Sequence, residues 1–557
     1  MKTLYKSLIA AAVLTPTLTG CVEEVFPTNG ATTEQVQQNP NATEAIASAM
    51  PAYMNHYATI SNSYHFDWGY GSLMHVRDVM TGDLCVPGPY GYEGYDWYSY
   101  WAQGHYLGES YVYGQFIWNL YTQLVLTTNT MIDAVDPDNA TAQQLVYLGQ
   151  GYAYRASHYL DMARMFEFLE NDAVSSTNAN GNNVLGLTVP ITTNETTEEE
   201  ARNNPRVPHQ EMFNFIISDL QEAEKYLTGA SVSDKTMPSL AVVYGLYARA
   251  YMWNENYPQA AEYAAKAIAA HGGASTITTA AQWHDIATGF NTLGTPSWMW
   301  GVQCVMEDAV VQSGILNWSS WMCNENNQGY AQAGALSCIS AATYNRISDT
   351  DFRKLSYLAP VDSPLSGMEP INEASELYYW YYPEELEYCS IKFRPGQGNC
   401  DDYTIGAASA YPLMRIEEMY LIQAEAVAHT SPAEGKLLLE AFMAYRDSEY
   451  TCTASSQADI VEEIVFQKRI ELWGEGQAYF DYKRLGIPVI RFYEGTNYVG
   501  DYVFNTGTME SYLAGNTGGR SAYMNFCIVQ TEQNNNEALM GWNNPDPSSA
   551  YPVLGDF

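Results

Sequence analysis

The chain has 557 residues, 46% hydrophobic and 16% charged, so it can bury an extensive core, and disorder throughout is excluded. With 25 Lys and Arg against 63 Asp and Glu, the formal net charge of −38 repels a phosphate backbone and argues against nucleic-acid ligands. Aromatic residues make up 13% and are mostly Tyr, 45 against 17 Phe and 13 Trp; Tyr and Trp join an apolar ring to a polar edge, which suits half-wet surfaces.

The chain opens with Lys2 and Lys6, an apolar stretch from Leu8 to Leu14, then Leu18-Thr19-Gly20-Cys21. That order predicts a secretory signal over residues 1–20, because the apolar run is too short to cross about 30 Å of hydrocarbon. Its last residues resemble the lipobox of bacterial lipoproteins, which implies loss of the leader and acylation of Cys21. Acyl chains, at roughly 0.8 kcal/mol per buried CH2, hold a protein on a membrane without a spanning segment. Residues 21–40 read as the lipidated Cys and a flexible tether; Glu23 and Glu24 resemble the surface-export signal of some Gram-negative lipoproteins. The other eight Cys include no C-x-x-C pair and are too sparse for a disulfide framework; their pairing stays open, and zinc is not expected.

Helical patterns dominate the remainder, read as one domain over 41–557: a helical-repeat part at about 41–270, a loop-rich part at about 271–410 and a helical part at about 411–557. Val112 to Val135 and Thr141 to Leu169 predict two long helices split by the turn Asp136-Pro137-Asp138-Asn139. Ser239 caps a helix to about Asn254, and Pro258 starts a second whose Tyr257, Ala260, Tyr263 and Ala267 resemble the second helix of a tetratricopeptide repeat. Small residues at helical spacing let two helices approach closely. Pro412 is expected to open a helix with the stripe Leu413, Ile416, Tyr420, Ala424 and Val427; Pro432 starts its partner, and a further helix is expected from Gln457 to Leu485.

Long segments without helical periodicity fall at 57–111, 172–208, 272–335 and 361–402, and segments of that length usually carry function. The first and third are dense in aromatic residues. Sugars offer CH faces that stack on rings and hydroxyls that need polar partners, so an aromatic patch with a few polar side chains suits a glycan. The candidate glycan contacts are Trp97, Tyr98, Trp101, Trp318 and Trp321, with Arg77, Asp83 and Asp96 as polar partners. Against this stands the commoner fate of a Trp, which is packing.

No catalytic constellation is present. Among 63 acidic residues, carboxylate pairs occur at any wanted spacing, so a glycosidase pair cannot be singled out, and there is no H-E-x-x-H, G-x-S-x-G or phosphate-binding glycine motif. No cofactor is expected; calcium accepts irregular carboxylate sets, but no site is assignable.

Two late segments carry a family resemblance. Pro412-Leu413-Met414-Arg415-Ile416-Glu417-Glu418 through Ala424-Glu425-Ala426 looks like the P-x-x-R-x-A-E-x-x-L-x-x-A-E-A segment of SusD/RagB-like nutrient-binding lipoproteins. Arg469-x-Glu471-Leu472-x-x-Glu475-Gly476, followed by Asp481-x-x-Arg484-x-Gly486, looks like that family's R-x-E-L-x-x-E-G-x-x-x-x-D-x-x-R-x-G segment. Trp118-x-x-Tyr121, Asn129 and Asp349-x-Asp351-x-Arg353 extend the similarity over most of the chain.

The resemblance implies a mainly α fold of four tetratricopeptide-like hairpins supporting a loop-rich ligand face, lipid-anchored at the outer membrane beside a SusC-like TonB-dependent transporter. It implies binding without chemistry, with an oligosaccharide or polysaccharide as cargo, and the net charge of −38 favours a neutral one. A peptide or other nutrient, or a glycoside hydrolase hidden in the long loops, remain the alternatives. Arg415, Glu418, Glu425, Arg469, Glu471, Glu475, Asp481 and Arg484 match the family's motifs and are expected to hold helices together. Glu417 stands where Ala is frequent, Lys468 where Glu is usual, Ala478 at a common Arg position and Leu485 at a frequent Trp, so the ion pairs around them are expected to differ.

Overall fold

The computed structural model describes residues 36–85, 98, 101, 106–170, 174–331, 333, 335–380, 387–487, 489 and 524–547. The leader, most of the tether with Cys21, and both Asp96 and Trp97 lie outside the described residues.

In chain order the longer helices begin with α1 (Pro40–Tyr53), whose N-cap Asn39 side chain accepts the Asn41 N–H, and α2 (Tyr70–Val79). Next come α3 (Val112–Asp133) and α4 (Ala142–Phe166), where Thr141 and Gln144 exchange bonds in a capping box. They are followed by α5 (His209–Leu227), α6 (Leu240–Trp253) and α7 (Tyr257–His271), the last with Pro in its first turn. The later set is α8 (Ile416–Ala428), α9 (Pro432–Met443), α10 (Gln457–Glu471) and α11 (Ala478–Leu485). The short strands are β1 (Leu84–Cys85), β2 (Trp298–Gln303), β3 (Cys338–Ile339) and β4 (Ala410–Arg415).

The fold is mainly α. Helix α4 packs on α3 and α5, α6 on α7, α7 on α8, and α8 on α9 and α10, so consecutive helical pairs form one continuous stack. Ala260, Ala264 and Ala267 of α7 are fully buried, the close approach expected of small residues at helical spacing. No helix among the described residues is long and apolar enough to cross a membrane.

Two expected helices are corrected. Pro412 does not open a helix: Ala410–Arg415 is strand β4, antiparallel to β2, and the helix starts at Ile416. The ladder is irregular between Trp298 and Gly301, and Pro412 faces Gly301 there; a residue lacking an N–H is tolerated at such a bulge. Nor is 457–485 one helix. Gly474 and Gly476 adopt φ of +75° and +67° between α10 and α11. A Cβ at Gly476 would lie 2.8 Å from the Met74 backbone, so the break needs glycine for its conformation and its clearance. The segment 272–335 likewise contains β2 and short helical turns.

The motif residues form the frame. Arg415 reaches Glu417 at 2.9 Å, Glu471 at 3.1 Å and Glu475 at 2.9 Å. Glu471 also receives Arg353 at 3.1 Å and Arg446 at 2.9 Å, and Lys392 reaches Glu475 at 2.7 Å, all essentially sealed from solvent. Arg249 grips Glu418, and Glu425 and Asp481 share Lys468 and Arg484. The departures from the family pattern bring their own partners: Glu417 sits between Arg415 and Arg446, and Lys468 bridges α8 and α11. Leu485, at the frequent Trp position, is exposed.

Asp78, beside the end of α2, is buried and accepts the Gly476 N–H at 2.9 Å. Burial pushes its carboxyl up to about 8, against the pull of that N–H and of Arg77. A carboxyl raised in the folded state contributes stability that is complete below its unfolded value of about 4 and lost as pH rises toward the folded value. Asp78→Asn is therefore expected to stabilise the chain at pH 8 by on the order of 1–3 kcal/mol and to change little at pH 4. Urea unfolding at both pH values checks this; equal losses at both would contradict it.

Candidate functional site

Three of the aromatic candidates meet, but inside. Tyr98 lies 4.7 Å edge-on from Trp321 and 5.6 Å from Trp101 between ring centroids, which joins the first and third long segments in one cluster. Trp101 packs edge-on against Phe66 at 4.9 Å, and Trp321 stacks on Tyr330 at 3.9 Å. Tyr98 and Trp101 have no exposed surface, and neither does Trp321. Trp318 is sealed elsewhere, stacked on Tyr411 at 4.8 Å.

The expectation of an exposed platform at Tyr98, Trp101, Trp318 and Trp321 is thus corrected: apolar ring area so large is drawn into the core when two loops close on each other. Arg77 and Asp83 are corrected too. Arg77 donates to Asp161 at 3.0 Å and stacks on Phe480, while Asp83 accepts Arg469 at 2.8 Å and Thr343 at 2.9 Å. Both are frame residues.

The cluster has a wet edge. Tyr113, half-buried at the start of α3, lies 5.0 Å from Trp101 and 5.5 Å from Phe66, and half-buried Tyr64 stacks on Phe66 at 5.4 Å. His65, beside it, bonds Tyr330. Next along the chain, Tyr106 and Tyr111 form a tilted pair at 5.0 Å, each 39% exposed. Polar groups adjoin them from far along the sequence. Ser110 donates to Gln530 at 3.2 Å, Thr531 donates to Gln115 at 2.7 Å, and Glu109 accepts Gln533 at 2.8 Å and Asn543 at 2.9 Å. Exposed tyrosine rings with amides and hydroxyls nearby can stack on a sugar face and bond its hydroxyls.

Sequence reasoning missed Tyr106, Tyr111, Gln115, Gln530 and Thr531. The Tyr pair ends the same aromatic segment and was within reach of its composition, as was Gln115 just beyond it; Gln530 and Thr531 come from more than 400 residues away and carry no local signal.

Other concavities fit a saccharide less well. A cavity of about 50 Å³ between Arg164, Arg249, Lys468 and Lys483 has room for a few waters and no sugar ring. An open cleft of about 630 Å³ lined by Thr193, Glu195, Glu199 and Asn203 contains no aromatic side chain. Among the described residues, no group of three or more His, Cys, Asp or Glu is arranged to hold a metal ion.

Comparison with known proteins gives relatives of the sequence and of the fold. The SusD family profile matches residues 388–546. SusD-like protein P38 of Formosa agariphila is 29% identical over 169 residues, which is 30% of this chain and 29% of that protein, so the match spans under a third of that relative's length. A solved SusD-like carbohydrate binding protein from Bacteroides vulgatus superposes with a TM-score of 0.67 at 21% identity, over 91% of this chain and 98% of that one. A solved laminarin binding SusD-like protein superposes with a TM-score of 0.61 at 16% identity, over 91% and 99%.

Proposed function

The chain is SusD/RagB-like, and from that premise we propose that it captures a neutral glycan at the outer membrane, without turning it over, and passes it to a SusC-like TonB-dependent transporter. The observation that carries the reading is the exposed Tyr106–Tyr111 pair, close in sequence to Ser110 and Gln115, which bond Gln530 and Thr531. The net charge of −38 disfavours acidic polysaccharides, and carbohydrate binding by two of the fold's relatives supports the cargo class. The lipobox-like Leu18-Thr19-Gly20-Cys21 supports a lipid anchor. Trp97 belongs to the same aromatic segment and is proposed as a further contact.

Affinity electrophoresis against a panel of neutral polysaccharides, laminarin included, tests the site. The double variant Tyr106→Ala, Tyr111→Ala is expected to bind about 10- to 100-fold more weakly, since two ring contacts contribute roughly 1–3 kcal/mol. Undiminished retardation in that variant, folded by circular dichroism, removes the site. New reducing ends on prolonged incubation would instead mark a hydrolase, and co-purification from solubilised outer membrane tests the transporter.

A further inference from the structure

Strand β3 lies between two other segments that each place a cysteine opposite Cys338. Across β1 the partner is Cys85, and on the other side Cys338 and Cys389 form an antiparallel bridge. The Ile339 N–H donates to Tyr388 O and the Ser390 N–H donates to Ser337 O, each at 3.0 Å, so these bonds bracket the Cys338–Cys389 pair. The pair therefore occupies the non-hydrogen-bonded type of antiparallel site, where opposed Cα atoms approach to about 4.5 Å and both side chains leave the same face. A disulfide needs Cα atoms roughly 4.4–6.8 Å apart with converging Cβ atoms. On the other side, the Ser340 N–H donates to Asp83 O at 2.9 Å, which makes Leu84–Ile339 the close pair and leaves Cys85–Cys338 at the wider, hydrogen-bonded type of site, about 5.5 Å.

The structure holds both residues as thiols, each without exposed surface. We propose that Cys338 and Cys389 are joined by a disulfide in the exported protein. The inference rests on the export reading above, because oxidising compartments lie outside the cytoplasm.

The reaction is thiol–disulfide exchange with an oxidising disulfide, either of a dithiol oxidoreductase or of glutathione. One cysteine thiolate attacks a sulfur of the oxidant and expels its first thiolate. The second cysteine thiolate then displaces the remaining half, so two protein thiols become one S–S bond and the oxidant leaves as two thiols carrying the two protons. In the finished fold, burial and the adjoining Cys389 thiol hold the Cys338 thiol well above its ordinary value, so exchange precedes closure of the fold.

The bond would brace the wall behind the aromatic cluster. Asn324 clamps the same two segments, donating to Ser337 O at 2.8 Å and Ser390 O at 2.7 Å, and Ser337 Oγ donates to the Trp321 carbonyl at 3.1 Å.

The full chain, expressed with its own leader in a Gram-negative host and alkylated in denaturant at lysis without reductant, decides by mass spectrometry. In the pool that has lost its leader, the peptides carrying Cys338 and Cys389 are expected as one species, 2 Da below the sum of the two thiol peptides, separating on reduction. In Cys389→Ala, Cys338 is expected to take up the alkylating reagent. Alkylation of both residues in the processed pool, or a Cys85–Cys338 link in its place, overturns the proposal. A retained leader shows failure of the export reading instead; the purified chain refolded in glutathione redox buffer then decides the pair by the same peptides.

Discussion

Glu471→Gln is expected to remove about 3–5 kcal/mol of folding stability, the usual cost of taking one partner from a sealed ionic cluster. Around Glu471 the cations Arg353, Arg415, Arg446 and Lys392 balance Asp351, Glu417, Glu471 and Glu475. Glutamine keeps the shape and deletes the charge, leaving one buried cation in excess. Adding Arg446→Met to the same chain should restore part of the loss, because it removes that excess. Guanidinium titrations of parent, single and double variants measure both effects, and a single variant as stable as its parent would contradict the balance. Acid acts in the same direction. Burial alone would raise the carboxyls of Glu471 and Asp161; Arg446 and Arg415 beside the first, and Arg77 and Arg164 beside the second, hold both well below the carboxylate range. Carboxyls depressed by folding contribute stability that is complete above their unfolded values near pH 4 and is lost as pH falls toward the folded ones.

Trp321→Ala is expected to cost about 3–5 kcal/mol as well, through a cavity. The ring stacks on Tyr330 at 3.9 Å and meets Tyr98 edge-on at 4.7 Å, and among the described residues its indole N–H has no hydrogen-bond partner, so its stabilisation there is argued from packing. Tyr111→Ala, at an exposed ring that makes no cap bond, should change stability by no more than about 0.5 kcal/mol. Thermal or denaturant unfolding of the two variants separates core from contact surface, and similar midpoints would erase the distinction.

The helical stack was legible wherever ends are marked by local chemistry. Thr141, Pro258 and Pro432, each read as a helix start, stand within a residue or two of the observed ones. Pro412 misled because a proline can begin a helix or sit at an irregular strand position, and only the partner Gly301 decides. Gly474 and Gly476 interrupt a strong periodic pattern through clearances against Phe393 and Met74, which are tertiary facts. The frame role of Arg415, Glu471 and Glu475 was implied by the family resemblance of their segments, whereas Arg353, Lys392 and Arg446 join the same cluster from elsewhere in the chain. At the candidate site the aromatic count was right and its direction was not. Nothing in the spacing of Trp101 and Trp321 says whether a ring turns inward or outward, and their meeting through Tyr98 spans more than 200 residues.

Segment 524–547 closes the edge that Tyr106 and Tyr111 occupy. Gln530 and Thr531 meet Ser110 and Gln115, and Asn544 ties back to Phe166 O and Phe526 O at 2.7 and 2.8 Å. Arg206, from the middle of the chain, fastens Trp542 O and Asn544. The polar groups beside the Tyr106–Tyr111 pair are thus drawn from segments more than 400 residues apart, so that edge exists only once the chain has folded back on itself.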